Sequence, residues 1–212
     1  MRQSVSKLRI VVLGATGGTG RRVVATALAR GHDVVAVVRR AEAIGPVPGP
    51  REVVWADLHD PSALVDAFHE ADVVISALGG AAKGPTTVCT DGVRSAITAM
   101  TQVGVTRLIA VSAYGVADTH DRSLFSLAVW VGVGDKMRDK ESMESLMVQS
   151  GLDWTIVRPP KLTDRAESGF YTTGVDIRIR LWSSIGRADL AGFLIREVEE
   201  PRFERAFPRI AR

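Results

Sequence analysis

The chain has 212 residues, 46% hydrophobic and 24% charged, with 27 Lys and Arg against 24 Asp and Glu for a formal charge of +3. This is the make-up of one globular domain with room for a sizeable core; the basic residues are scattered, Arg21-Arg22 and Arg39-Arg40 being pairs rather than tracts, so there is no basis for a nucleic-acid partner. The only cysteine, Cys89, excludes an intramolecular disulfide, and the four histidines (His32, His59, His69, His120) form no His-x-x-x-His pair, so no metal site is expected.

In chain order, a short polar segment from Met1 to Lys7 runs straight into an apolar strand, Leu8 to Leu13, with no secretory leader read ahead of it. A glycine-rich turn from Gly14 to Gly20 follows. Val23, Val24, Ala27 and Leu28 then recur at helical spacing, and Gly31 stops that helix. Asp33 to Val38 is a second strand, residues 41–50, with three prolines and two glycines, a loop, and Glu52 to Trp55 a short third strand. Asp60-Pro61 opens a helix that runs to about Glu70, because aspartate caps free amides and proline tolerates the first turn. Asp72 to Ser76 is the fourth strand, Thr86 to Val103 a helix ended by Gly104, and Thr106 to Val111 the fifth strand.

Residues 113–134 resist assignment and read as a candidate mobile lid carrying Phe125 and Trp130. A helix from Asp135 to Ser150 ends at Gly151, and the sixth strand, Trp154 to Val157, stops at Arg158-Pro159-Pro160. The last helix covers about Arg187 to Glu199, and Phe203 to Phe207 reads as a further edge strand. The longest apolar stretch, Leu124 to Val133, falls far short of the ~20 residues a bilayer-spanning helix needs. Cytoplasmic residence with no membrane partner is the expectation.

Short apolar runs alternating with longer amphipathic ones predict an α/β domain with a doubly wound, mainly parallel sheet and helices on both faces. One domain spans 1–212, with a small substrate-side region at about 113–134 and 160–186. The turn sits after an apolar strand, opens an amphipathic helix and lies near the N-terminus, the setting in which such a motif holds a dinucleotide. Gly14 permits a tight exit from the strand, Gly17 lets the backbone approach a pyrophosphate, and Gly20 allows close helix–sheet packing. The helix then offers free amides and partial positive charge to the anion. At the end of the second strand, where an acid would select NAD, stand Arg39 and Arg40, whose forks suit the extra phosphate of NADP(H). Asp57 reads equally as an acceptor for the adenine amino group or as a turn residue, and the Ala77-Leu78-Gly79-Gly80 glycines fit either ribose approach or a plain turn.

Gly14-Ala15-Thr16-Gly17-Gly18-Thr19-Gly20, the strand ending at Arg39, Asp57, Val74 to Gly79, Ile109 to Ala113, Ser150 to Pro160 and Arg187 to Ala191 together resemble the atypical short-chain dehydrogenases/reductases. They cover nearly the whole chain in the expected order. The compact size and Pro85-Thr86-Thr87-Val88 are most similar to the flavin-reductase (biliverdin reductase B) branch, with NmrA-like regulators and sugar-nucleotide epimerases as more distant candidates. The superfamily's Tyr-x-x-x-Lys pair is not found. Counted back from Arg158-Pro159, its lysine falls on Lys140 and its tyrosine on Lys136. That speaks against alcohol dehydrogenation and keto epimerisation.

The turn chemistry and the resemblance together imply a cofactor site at Gly14, Thr16, Gly17, Gly18, Thr19, Arg39, Arg40, Asp57, Leu58, Ala77, Leu78, Gly79, Ser112 and Pro159. Ser112, Lys140 and Lys161 are the candidate catalytic residues. Ser112 would touch nicotinamide or substrate, Lys140 would face ribose, and Lys161 would attract an anionic group. The resemblance implies an NADPH-dependent reductase of a planar conjugated acceptor (flavin, biliverdin-like tetrapyrrole or quinone), monomeric or homodimeric. A non-catalytic NADP(H) sensor of NmrA-like type is the alternative.

Overall fold

Runs such as Ile10–Leu13 and Val73–Ser76 are buried on both sides, as strands covered by helices on each face must be. In the computed structural model, which describes residues 6–44, 49–80, 84–120, 124–180 and 182–212 (124–131 by backbone alone), they form a six-stranded parallel sheet. Its strands are β1 (Arg9–Leu13), β2 (Asp33–Val38), β3 (Arg51–Val54), β4 (Val73–Ser76), β5 (Arg107–Val111) and β6 (Asp153–Val157). The spatial order is β3-β2-β1-β4-β5-β6. The chain therefore reverses its direction of growth between β1 and β4, opening a crevice at their carboxyl ends.

The two-residue period of a strand sorts the core into two layers. Ile10 and Val12 join α1 (Gly18–Ala29) and α5 (Arg187–Glu199) on one face. Val11 and Leu13 join α2 (Ser62–Phe68), α3 (Val88–Val103) and α4 (Leu124–Gln149) on the other. The expected doubly wound architecture is present.

Several boundaries differ from the expectation, each for a local reason. The segment 113–134 is not one irregular lid. Ala117–Thr119 forms a 3-10 turn, and Leu124 onward belongs to α4, bent at Val133, where φ is −137° and ψ 19°. The side chains of Phe125 and Trp130 lie outside the described residues. Phe203–Phe207 is not a regular strand: it meets β6 through an isolated parallel bridge, Thr155 to Ala206, and a second bridge, Arg158 to Arg209, lies beyond it. The regular pairing falls on shorter pieces. β7 (Lys161–Thr163) pairs in parallel with β9 (Ser184–Gly186), and β8 (Thr172–Gly174) pairs antiparallel with β10 (Arg209–Ala211). Three-residue strands are too short to show a hydrophobic period. The helix expected to run to Glu70 closes at Phe68, while Asp60 does accept the Ser62 N–H at 2.9 Å as a cap should.

Candidate functional site

The turn after β1 is shaped by contacts that leave no space for side chains. Gly14 has φ +72°, and a Cβ there would come 2.8 Å from the Ala77 carbonyl oxygen. The loops after β1 and β4 thus touch at the switch point, where Ala77 N–H also donates to Leu13 O at 3.0 Å. Gly17 N–H donates to Gly14 O at 3.0 Å, and a Cβ on Gly20 would overlap that same carbonyl. α1 then begins at Gly18 with no side-chain cap and no acid in its first turn. Its leading amides and positive dipole end remain available to an anion.

A cleft of about 450 Å³ opens from this turn. Gly17, Gly18 and Thr19 form one wall, and residues 77–80 after β4 form its floor. Ser112 and Ala113 after β5 and Pro159 and Pro160 after β6 also line it. Lys136, Asp139 and Lys140 descend from α4, Leu162 comes from β7 and Arg187 from α5.

Ser112 is 3% exposed, and its Oγ has no hydrogen-bond partner among the described residues although its N–H donates to Val157 O at 2.8 Å. A buried hydroxyl without a partner is costly, and here it borders a cavity large enough for a ligand's polar group. Lys140 Nζ donates to the Val111 carbonyl at 2.8 Å, bracing the backbone beside Ser112. Lys136, one turn earlier on α4, makes no ion pair among the described residues. Asp139 is 4% exposed and spends both carboxylate oxygens on α3. Oδ2 accepts the Cys89 N–H, and Oδ1 accepts the Thr90 N–H, each at 2.9 Å. The Cys89 thiol, also on the cleft wall, is pushed up to about 11, chiefly by burial. Farther along α4, Glu144 grips Arg158 through two bonds of 3.1 and 2.7 Å. Asp139, Lys140 and Glu144 therefore fix α4 over the ends of β5 and β6.

The remaining predicted residues are more scattered. Thr16 is half-buried beside the turn, its carbonyl accepting from Arg21 Nε at 3.0 Å. Arg39 and Arg40 are exposed beyond β2, with no ion pair among the described residues. Asp57 is exposed, and its Oδ1 accepts the His59 N–H at 2.9 Å, the turn arrangement; the Leu58 carbonyl accepts the Ser95 hydroxyl at 2.6 Å. Lys161 is exposed and does not line the cleft; its neighbours Pro160 and Leu162 do. Three charged wall residues were not anticipated as site residues: Lys136, Asp139 and Arg187. For Arg187 a signal existed, since a cation in the first turn of a helix opposes the helix dipole unless an anion faces it.

A parallel sheet in this strand order, with a glycine-rich turn at the switch point and an uncapped helix behind it, defines a Rossmann-type dinucleotide-binding protein. Residues 14–201 match the family described as NAD(P)H-binding, and the chain belongs to that family. It is 36% identical over 86 residues to the phenylcoumaran benzylic ether reductase IRL1 of Ginkgo biloba, a match covering 36% of this chain and 28% of that protein. The chain thus matches little more than a quarter of that relative's length. The solved anaerobillin reductase ChuY of Escherichia coli O157:H7 superposes with a TM-score of 0.81 at 27% identity, over 95% of this chain and 96% of that one. A short-chain dehydrogenase/reductase of Veillonella parvula in complex with NADP shares the fold, with a TM-score of 0.81 at 17% identity over 98% and 95% of the two chains. Among the described residues no helix is long and apolar enough to cross a membrane, and no three His, Cys, Asp or Glu cluster to hold a metal.

Proposed function

We propose that the chain is an NADPH-dependent reductase delivering hydride to a planar conjugated acceptor: a flavin, a biliverdin-like tetrapyrrole or a quinone. Ser112 carries this reading, as a buried hydroxyl without a partner among the described residues that lines the same cleft as the glycine turn. The residues present fit a dinucleotide, since the glycines let the turn pack tightly against the loop after β4 and the amides that open α1 carry no side-chain cap. When bound, the nicotinamide supplies the hydride. The chain's own part is placement. The turn and the start of α1 take the pyrophosphate, Ser112 gives nicotinamide or acceptor a hydrogen bond, and Lys140 holds Val111 and Ser112 in register. Arg39 and Arg40, exposed and without ion pairs among the described residues, are available to the 2′-phosphate. Asp57 and Leu58 would flank the adenine, and Lys161 would meet an anionic substituent only at the mouth of the cleft. The reductase names of IRL1 and ChuY support the class of reaction, and ChuY supports a tetrapyrrole acceptor.

A sensor of NADP(H) is the second reading, favoured by a lysine, Lys136, where the related dehydrogenases carry their proton-donating tyrosine. The two separate by turnover. The reductase oxidises NADPH with FMN, biliverdin or a quinone, and Arg39→Asp lowers its preference for NADPH over NADH at least tenfold. Tight binding of both NADP⁺ and NADPH with no turnover across that panel would establish the sensor instead. Retained affinity and preference in Arg39→Asp would remove Arg39 from the phosphate site.

A further inference from the structure

Arg187 opens α5 directly across from the start of α1. Its side chain runs so close over Gly18 that a Cβ there would come within 3.1 Å of Nε. A cation at a helix amino end needs an anion, and in this structure the anion is Asp164. Arg187 Nη1 lies 3.0 Å from Asp164 Oδ1, and Arg22 Nη2 lies 3.0 Å from the same oxygen. Arg22 is itself anchored by donating Nη1 to the Gly18 carbonyl at 2.7 Å. A carboxylate of the chain thus sits clamped between two guanidinium groups, beside the amides that open α1.

This arrangement is weak where a phosphate would be strong. The Asp164 side chain is 69% exposed, so solvent screens its attraction for Arg187. A guanidinium fork matches phosphate oxygens and binds them bidentately. The acid that lines the cleft, Asp139, has both oxygens on α3, and Lys140 is committed to the Val111 carbonyl. Lys136 also lines the cleft, from α4, but Arg187 is the lining cation that packs over Gly18 of the glycine turn.

We propose that Arg187 is a phosphate ligand of the dinucleotide and that Asp164 is a resident carboxylate which the pyrophosphate displaces from it. Asp164 keeps Arg22 after the exchange, so no charge is left without a partner. The proposal rests on the Gly14–Gly20 turn being the pyrophosphate site.

Isothermal titration of the full chain with NADP⁺ tests it, with thermal melts to verify folding of each variant. Arg187→Ala weakens binding at least tenfold, Arg187→Lys falls between, and Asp164→Asn tightens binding about threefold by removing the competitor. In the Arg187→Ala background the same Asp164→Asn change has no effect, because the competition is gone. A carboxylate acting only through general repulsion would give equal tightening in both backgrounds, which overturns the exchange. Unchanged affinity in Arg187→Ala overturns the ligand role while leaving the pyrophosphate site intact. A parent protein that fails to bind NADP⁺ would overturn both.

Discussion

Replacing Asp139 with alanine isolates the contact that sets α4 against α3. The carboxylate accepts the Cys89 and Thr90 N–H groups at 2.9 Å each and the Thr90 hydroxyl at 2.8 Å, from a residue 4% exposed. The hydroxyl keeps a second acceptor, the Asp139 carbonyl at 2.9 Å, which alanine preserves. The two amides keep none. Each buried amide left without a partner costs about 1–3 kcal/mol, and loss of the charge at a helix amino end adds about 0.3–1 kcal/mol. Asp139 borders the cleft, so water recovers part of this, and the net expectation is a loss of about 3 kcal/mol. At about 2–4 °C per kcal/mol for a chain of this size, Tm falls by roughly 6–12 °C. Asparagine retains one acceptor oxygen and loses roughly half as much. Urea melts followed by tryptophan fluorescence give the free energy, and a circular-dichroism melt gives Tm. An alanine variant within about 0.5 kcal/mol of the parent would refute the reasoning, because cleft water would then be capping α3 unaided.

Two further outcomes are expected. Glu144→Ala strips Arg158, 2% exposed, of its bidentate partner and leaves it only the exposed Asp118 at 2.6 Å and the Phe207 ring at 4.1 Å. The loss is about 3–5 kcal/mol by urea melt, whereas replacing both Glu144 and Arg158 by methionine is close to neutral; a mild single variant would show that Asp118 suffices. Cys89 is raised from 9.0 to about 11, so the unfolded thiol ionises first as pH climbs. Stability is therefore undiminished below pH 9 and declines between pH 9 and about 11 relative to Cys89→Ala, by roughly 2–3 kcal/mol in all. Urea melts of the two proteins across that range, and iodoacetamide labelling at pH 8 at least a hundredfold slower for native than for unfolded chain, test this. A flat difference with rapid native labelling would contradict it.

The sequence by itself was enough for the alternation of strands and helices, the glycine turn and the residues after β4 that line the cleft beside it. Those features are local: hydrophobic period, helix stops and a turn that must lack side chains are all written within a few neighbouring residues. β7 to β10 left no such trace, because three residues carry no period and their pairing depends on partners elsewhere in the chain. The same holds for the wall of the site. Asp139 reads as one more charge on an amphipathic helix until α3 is placed against it, and Arg187 as an ordinary helix start until α5 packs beside α1. Lys161 follows the paired prolines closely in sequence, yet it points to solvent while its neighbours line the cleft, since adjacent residues of a strand face opposite ways. Sequence sufficed for the glycine turn and the backbone around it; only the tertiary structure decided which distant charges meet there, because ion pairing and capping are set by packing across the chain rather than by local order.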